Sequence, residues 1–251
     1  MLKVREVKAK SILNKSKIFD YCLNPYTGCE HDCAYCYASL FMRRYSGHKE
    51  PWGEFVDVKI NSPELLKKQL ERAKKGIVWI SSVCDPYQPL EAKYKLTRQC
   101  LKELIVKQFP VNIQTKSKLV LRDLDLILQF EEIEVGFTIT TDDEKMSKLF
   151  ESRASSVKER LNTLEKIHSK GIRTFAFVGP LVPGNPEKLV GLLEGKTDKI
   201  YIDKMNYLYS TRRFYQQHGL EEATTDKFFL EYKERLINES KKRKMKFEVL
   251  F

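Results

Sequence analysis

Three cysteines fall within eight residues of one another, in the string NPYTGCEHDCAYCYA that runs from Asn24 to Ala38. Three residues separate Cys29 from Cys33, and two separate Cys33 from Cys36. Thiolates are ligands for soft metals, and three spaced this closely can converge on one centre. A closed iron–sulfur or structural zinc site takes four protein ligands, whereas a site that works on a small molecule keeps one position open. With no fourth cysteine nearby, the spacing points to an iron reserved for a bound small molecule. Structural zinc is the alternative reading, with His31, Cys84 or Cys100 completing the set. Zinc sites, however, pair one cysteine knuckle with a second, and no second knuckle is present. Cys22 and Cys100 read as core thiols, and a buried free thiol is also the plain reading of Cys84.

Short apolar runs that alternate with helical patterns must hold this loop in place. The runs predict strands over Ile18–Leu23, Ile77–Val83, Val111–Thr115, Ile133–Ile139, Ile172–Val178 and Lys199–Lys204. Between them the helices are punctuated. Ser62 with Pro63 opens one that runs to Lys74–Lys75, and Thr97 is placed to cap a second. Ser155 or Ser156 starts a third that stops before Gly171, and Asn185–Pro186 starts a fourth that stops at Gly195. A long amphipathic helix over Asp226–Lys242 and a terminal strand-like KFEVLF follow. Strands alternating with helices imply right-handed βαβ units, a parallel sheet and the α/β class, as an incomplete barrel or an open sheet.

In such folds chemistry collects where strands end. The first strand runs into the cysteine loop, and the second into Cys84-Asp85-Pro86-Tyr87-Gln88-Pro89. The third reaches Thr115-Lys116-Ser117, the fourth passes through Thr138, Thr140 and Thr141, and the sixth meets Met205-Asn206-Tyr207. The expected organisation is a single domain over residues 1–251. Its parts are a basic N-terminal extension over 1–17, a core over 18–207 and a C-terminal helical extension over 208–251.

Composition narrows the class. Of the 251 residues 42% are hydrophobic, enough for a packed core, and no segment approaches the roughly 18 uninterrupted apolar residues of a membrane span. The basic N-terminus has no apolar stretch behind it, so a soluble cytoplasmic protein is expected, in which clustered cysteines are metal ligands rather than disulfides. The formal net charge of +11 favours a polyanionic partner, DNA or RNA. Much of the excess sits in two runs, Lys3 to Lys17 and Lys241 to Lys246, which also read as lysine-rich solvated surface.

The cysteine spacing after a first strand, with an aromatic before the last cysteine, resembles the radical S-adenosylmethionine (SAM) enzymes. The likeness is closest to their spore photoproduct lyase-like branch, often labelled DNA repair photolyases. The strings that carry it are GCEHDCAYCYA, CDPYQPLEAKYKLTRQCL, QTKS with RDLDLI, GFTITTDDEKMSKLFESRASSVKERL, GIRTFAFVGPLVPG and IDKMNY. The resemblance implies a partial (β/α)6 TIM-type barrel with the C-terminal helix and short terminal strand beyond it. It implies a [4Fe–4S] cluster held by Cys29, Cys33 and Cys36, with SAM on the fourth iron. It also implies an electron donor such as flavodoxin or ferredoxin.

By the same resemblance Lys116 and Thr138 match SAM-contacting positions, with Thr140 and Asn206 beside them as further cofactor-binding candidates. Tyr35 and Tyr37 match the tyrosines flanking the last cluster cysteine, one of which is implicated in returning a radical toward SAM. Cys84 matches the cysteine that gives a hydrogen atom to the product radical. Glu151 and Arg160 match as well, without an assigned role. Asp-Pro-Tyr-Gln-Pro belongs to the wider branch rather than to the lyases themselves. The leading expectation is thus a radical SAM enzyme, lyase-like or base-modifying, acting on a nucleic acid base. The alternatives are a peptide or small-metabolite substrate, or a non-enzymatic Fe–S or zinc nucleic-acid-binding module.

Overall fold

Strand formation follows the apolar runs, but more tightly than the runs themselves. The computed structural model describes residues 2–251. Two compact units make up the chain, one from residues up to Asp32 together with Ala38–Val135, the other from Cys33–Tyr37 and Gly136–Phe251.

In the first unit the strands are β1 (Lys3–Val7), β2 (Leu13–Lys15), β3 (Tyr21–Leu23), β4 (Tyr26–Thr27), β5 (Phe55–Lys59), β6 (Val78–Ile80) and β7 (Val111–Thr115). Strand β8 (Ile133–Thr138) begins in this unit and ends in the second, which also holds β9 (Arg173–Val178), β10 (Lys199–Ile202) and β11 (Phe247–Val249).

One sheet of the first unit has the order β1-β5-β4 and another runs β2-β3-β6-β7. Strands β3, β6 and β7 are parallel, in the register Leu23–Ile80–Ile113, and these three side chains are fully buried. In the second unit β8, β9, β10 and β11 are neighbours in that order, with β9, β10 and β11 parallel. Parallel neighbours require crossovers, which the helices supply, so the α/β class expected from the alternation is the one observed. The helix Asp226–Lys242 and the short strand β11 close the chain as expected.

Two strands are shorter than their apolar strings. Ile18 is 72% exposed, because Ser16 Oγ accepts from the Ile18 amide at 3.2 Å and turns the chain before β3. Beyond Ile80 the backbone of Ser81 takes φ +65°, left-handed geometry that ends β6 three residues before Cys84. Local capping signals fare better. Ser156 and Glu159 form a reciprocal capping box on the helix Val157–His168, and Gly171 beyond it adopts φ +78°. Asn185 Oδ1 accepts from the Lys188 amide at 2.8 Å, opening the helix Pro186–Leu193. Thr97, expected as a cap, instead lies inside the helix Leu96–Lys107 and donates its hydroxyl to the Pro86 carbonyl at 2.7 Å. The helix Ser62–Leu70 stops short of Lys74–Lys75.

The first 17 residues carry β1 and β2. Strand β1 lies parallel to β5, which sets Arg5 opposite Asp57, and the guanidinium clasps that carboxylate with two bonds of 2.7 and 2.8 Å. Buried His48 stacks on Phe55 at 4.1 Å, with one ring nitrogen 3.0 Å from Asp57 and the other 3.0 Å from Glu50, which Lys3 also meets at 2.6 Å. Burial works to raise the Asp57 pKa, but the hydrogen bonds from Arg5 and His48 prevail and hold it below the usual carboxylate range. A depressed folded-state pKa means that this stabilisation is complete above the ordinary aspartate value of about 4 and is lost as pH falls below it. Asp57→Asn is therefore expected to cost about 1–3 kcal/mol at neutral pH and to flatten the acid limb of a stability–pH curve measured by urea unfolding. An unchanged acid limb would show that the network does not support folding.

Candidate active site

Gly28 opens the cysteine loop at φ +91°, and a Cβ there would lie 2.2 Å from the Phe55 carbonyl oxygen, so only glycine lets the chain turn this closely over β5. Cys29 follows, buried. The Asp85 amide donates to Cys29 Sγ at 3.4 Å, a bond that favours sulfur in its thiolate form. Gln88, fully buried, accepts from the Glu30 amide at 3.0 Å and donates to the Gly28 carbonyl at 3.2 Å, while Glu30 Oε1 accepts from the Leu90 amide at 2.6 Å. The Asp85–Pro89 segment is thus laced onto the start of the cysteine loop.

Asp85 holds that segment to the end of β7. Its carboxylate accepts from Thr115 Oγ1 at 2.7 Å, from the Lys116 amide at 2.7 Å and from the Tyr87 amide at 2.8 Å. His31 Nδ1 stands 3.3 Å from Asp85 Oδ2, an ion-pair contact not aligned as a hydrogen bond. Burial would raise the Asp85 pKa, yet the neighbouring imidazole and the donated hydrogen bonds bring it to about 2. Lys116 is thereby fixed at the end of β7 through its main chain.

Cys84, next in sequence to Asp85, is half-buried against Tyr26, Val56, Val58 and Leu96 and donates its thiol to the Tyr26 carbonyl at 3.5 Å. Burial pushes the thiol up to about 12, so the S–H bond persists at neutral pH. Cys22 and Cys100 are free thiols too, Cys100 fully buried on the helix Leu96–Lys107.

In the second unit the segment Cys33–Tyr37 is anchored by charge. Cys33 bridges Glu151 through the backbone, and the Ala34 amide donates to the Phe150 carbonyl at 2.8 Å. Tyr35 donates its hydroxyl to the Glu151 carboxylate, which Arg160 meets at 2.5 Å and to which Thr140 Oγ1 donates at 3.3 Å. Arg160, itself buried, also donates to the Thr138 carbonyl at 3.0 Å and to Ser147 Oγ at 3.2 Å. Burial, then the Glu151 charge, pushes the Tyr35 pKa well above its ordinary value, which keeps the phenol protonated. Tyr37 is 40% exposed and stacks on Tyr207, with ring centroids 6.1 Å apart. Asn206 is exposed and donates to Asp203 Oδ2 at 2.9 Å.

Of the expected site residues, Tyr35, Thr138 and Thr140 thus meet around Glu151 and Arg160, the pair left without a role in the sequence. Arg160 carried a legible signal. It falls on the apolar stripe Val157, Leu161, Leu164 of its helix, where an arginine must find a buried partner. Among the described residues no three His, Cys, Asp or Glu side chains are gathered tightly enough to hold a metal ion. The suitability of the loop for a soft-metal cluster therefore lies in its donors. None of Cys29, Cys33 and Cys36 is in a disulfide, and a backbone amide already points at Cys29 sulfur.

The chain belongs to the radical SAM superfamily, whose family model matches residues 23–194. It is 35% identical over 254 residues to an uncharacterised protein of Methanocaldococcus jannaschii, covering 96% of this chain and 95% of that one. A radical SAM Nalpha-GlyT isomerase of Pseudomonas phage M6 is 24% identical over 162 residues, 64% of this chain and 33% of the phage protein. Among solved structures, spore photoproduct lyase complexed with dinucleoside spore photoproduct superposes with a TM-score of 0.70 at 17% identity, over 99% of this chain and 82% of the lyase. SuiB of Streptococcus suis bound to the precursor peptide SuiA gives 0.65 at 13% identity, over 92% of this chain and 48% of SuiB. The fold is accordingly that of the radical SAM partial barrel, and the protein is an enzyme class by family. No helix among the described residues is long and apolar enough to cross a membrane.

Removing one partner of the Glu151–Arg160 pair leaves the other charged and buried. Arg160→Met is expected to lower stability by about 3–5 kcal/mol in urea unfolding, and Glu151→Leu added to it should recover part of the loss. A single variant as stable as the parent would mean the pair does not anchor the Cys33–Tyr37 segment.

Proposed function

We propose that the protein is a SAM-cleaving radical enzyme in which Cys29, Cys33 and Cys36 hold a [4Fe–4S] cluster, and that its substrate is a nucleic acid base. The observation that carries the cluster assignment is the loop of three cysteines outside any disulfide, met by the Asp85 amide at Cys29, in a chain of the radical SAM superfamily. When bound, such a cluster would supply the one-electron reductive cleavage of SAM to methionine and a 5′-deoxyadenosyl radical able to take a hydrogen atom from substrate. The chain's own residues hold and shield. Cys29, Cys33 and Cys36 are the thiolate ligands, and Asp85 fixes the loops that carry Cys29 and Lys116. Lys116, Thr138, Thr140 and Asn206 are the cofactor-binding candidates at strand ends. Tyr35, kept protonated against Glu151, retains an O–H hydrogen. Cys84, kept as a thiol by burial, retains an S–H hydrogen, which is the form a hydrogen-atom donor needs.

The nucleic acid reading is supported by the net charge of +11 and by the likeness in fold to a lyase solved with a dinucleoside. A peptide substrate is the second reading, favoured by the likeness to SuiB with its precursor peptide. Flavodoxin or ferredoxin is the electron donor proposed for either.

Reconstituted without oxygen, the protein is expected to carry about one cubane and to convert SAM to 5′-deoxyadenosine under dithionite. Serine at Cys29, Cys33 or Cys36 should abolish both, whereas serine at Cys22 or Cys100 should not. Stoichiometric zinc that resists exchange, with no nucleoside product, would overturn the assignment. Cys84→Ala is expected to keep iron content and SAM cleavage while altering the product formed from substrate. Loss of iron in that variant would make Cys84 a packing residue.

A further inference from the structure

Part of the basic charge conspicuous in the sequence is used within the fold. Lys3 pairs with Glu50, Arg5 with Asp57, and Arg243, in the middle of the C-terminal run, pairs with both Glu194 and Glu239. Two adjacent arginines are among the cations left without such a partner. Arg212 and Arg213 are exposed on the helix Leu208–Gln217, and neither makes an ion pair or hydrogen bond with another described residue.

The register of that helix decides what stands beside them. Thr211 and Tyr215 are its buried residues, which turns Tyr209, Arg212 and Arg213 outward at i, i+3 and i+4, one above the other. Tyr209 is 72% exposed, so its ring is open to a stacking partner. Its ring meets Tyr207 edge-on at 6.3 Å, and Tyr207 stacks on Tyr37 at 6.1 Å with the planes 22° apart. The second unit therefore presents three neighbouring tyrosines, the half-buried Tyr207 between the exposed Tyr37 and Tyr209, with two unpaired guanidinium groups alongside Tyr209.

Exposed aromatic faces next to unpaired arginines fit single-stranded nucleic acid, whose bases stack on the rings and whose phosphates take the planar guanidinium fork. We infer that Tyr207, Tyr209, Arg212 and Arg213 form a stacking surface for single-stranded nucleic acid that leads toward Tyr37 at the end of the cysteine loop. The inference rests on the nucleic acid reading proposed above and names the surface that receives it. A base stacked on Tyr209 would continue the row Tyr207–Tyr37.

The test is anisotropy of a fluorescein-labelled oligothymidine titrated with the anaerobically reconstituted protein, beside a duplex control. Tyr209→Ala is expected to weaken single-strand binding about fivefold or more, the cost of one lost base stack, with Tyr209→Phe close to the parent and Tyr209→Leu close to alanine. The double variant Arg212→Gln/Arg213→Gln should make the slope of log affinity against log salt shallower by about 1.4, two phosphate contacts on a single strand. Because these side chains are exposed, thermal unfolding should match the parent in every variant. If the parent binds the oligonucleotide and the variants bind equally well, the surface is wrong while the nucleic acid reading stands. If the parent binds no oligonucleotide even at low salt, the reading and the surface fall together. Capture of a peptide by the parent, lost in Tyr209→Ala, would assign the surface to a protein partner and overturn the proposal.

Discussion

A carboxylate taken out of water must be satisfied at nearly every lone pair, or it becomes protonated or unfolds its surroundings. Asp85 obeys that constraint with Thr115, Lys116, Tyr87 and His31 as its partners, and so its position fixes theirs. Because the same residue turns its amide onto Cys29, a requirement of solvation becomes a requirement of geometry. The end of β7, the proline-bounded loop after β6 and the first cysteine cannot move independently. The prolines at 86 and 89 reduce the freedom of the segment before any contact is made, since each restricts itself and its predecessor. Small misplacements at a reacting centre cost large rate factors, so a loop with this little slack is suited to holding a ligand sulfur.

The second unit meets the same constraint with a different partner. Glu151 is buried and takes its compensation from Arg160, Tyr35, Thr140 and Ser147. A hydrophobic pair in its place would hold the helix Val157–His168 against β8 at least as well, since buried ion pairs gain little over apolar packing. What an ion pair adds is direction. The carboxylate offers fixed acceptors, and only one placement of Tyr35 brings its hydroxyl to them while Cys33 bridges the backbone of Glu151. Thr138 and Thr140 are drawn into this network, one through its carbonyl and one through its hydroxyl, so their burial already has a structural reason.

How far the sequence reaches can be judged from individual residues. Ser156 and Asn185 were legible as helix caps because a cap is settled by atoms within three residues of it. Parallel β3, β6, β7 and β9 were legible as apolar runs for a similar reason, burial on both faces. Thr97 misled because its hydroxyl finds the Pro86 carbonyl, eleven residues away. Ser81 misled because nothing in a serine announces φ +65°. Strand β1 went unread because the Asp57 that pairs with Arg5 is 52 residues away, and a charged strand at a sheet edge does not show the alternation of a half-buried one. The three cysteines were legible through their spacing alone, while the buried partners that hold their loop, Asp85, Gln88 and Glu151, became visible only with their contacts.

Charge shows the same division between local and distant information. Every internal ion pair removes one positive and one negative group, so pairing leaves the excess of +11 unchanged and moves it onto the residues that remain unpaired. Runs such as Lys241–Lys246 therefore overstate their own neighbourhood, since Arg243 is tied twice and Lys242 lies 3.6 Å from Glu239. Exposed charges act over a Debye length of about 8–10 Å at ordinary salt, so an approaching polyanion responds to the few groups beside its contact rather than to the sum. An unpaired arginine next to an open aromatic ring then weighs more than one already bound to carboxylates, as Arg243 is. The pairing pattern, which no count of lysines and arginines contains, determines where the net charge acts.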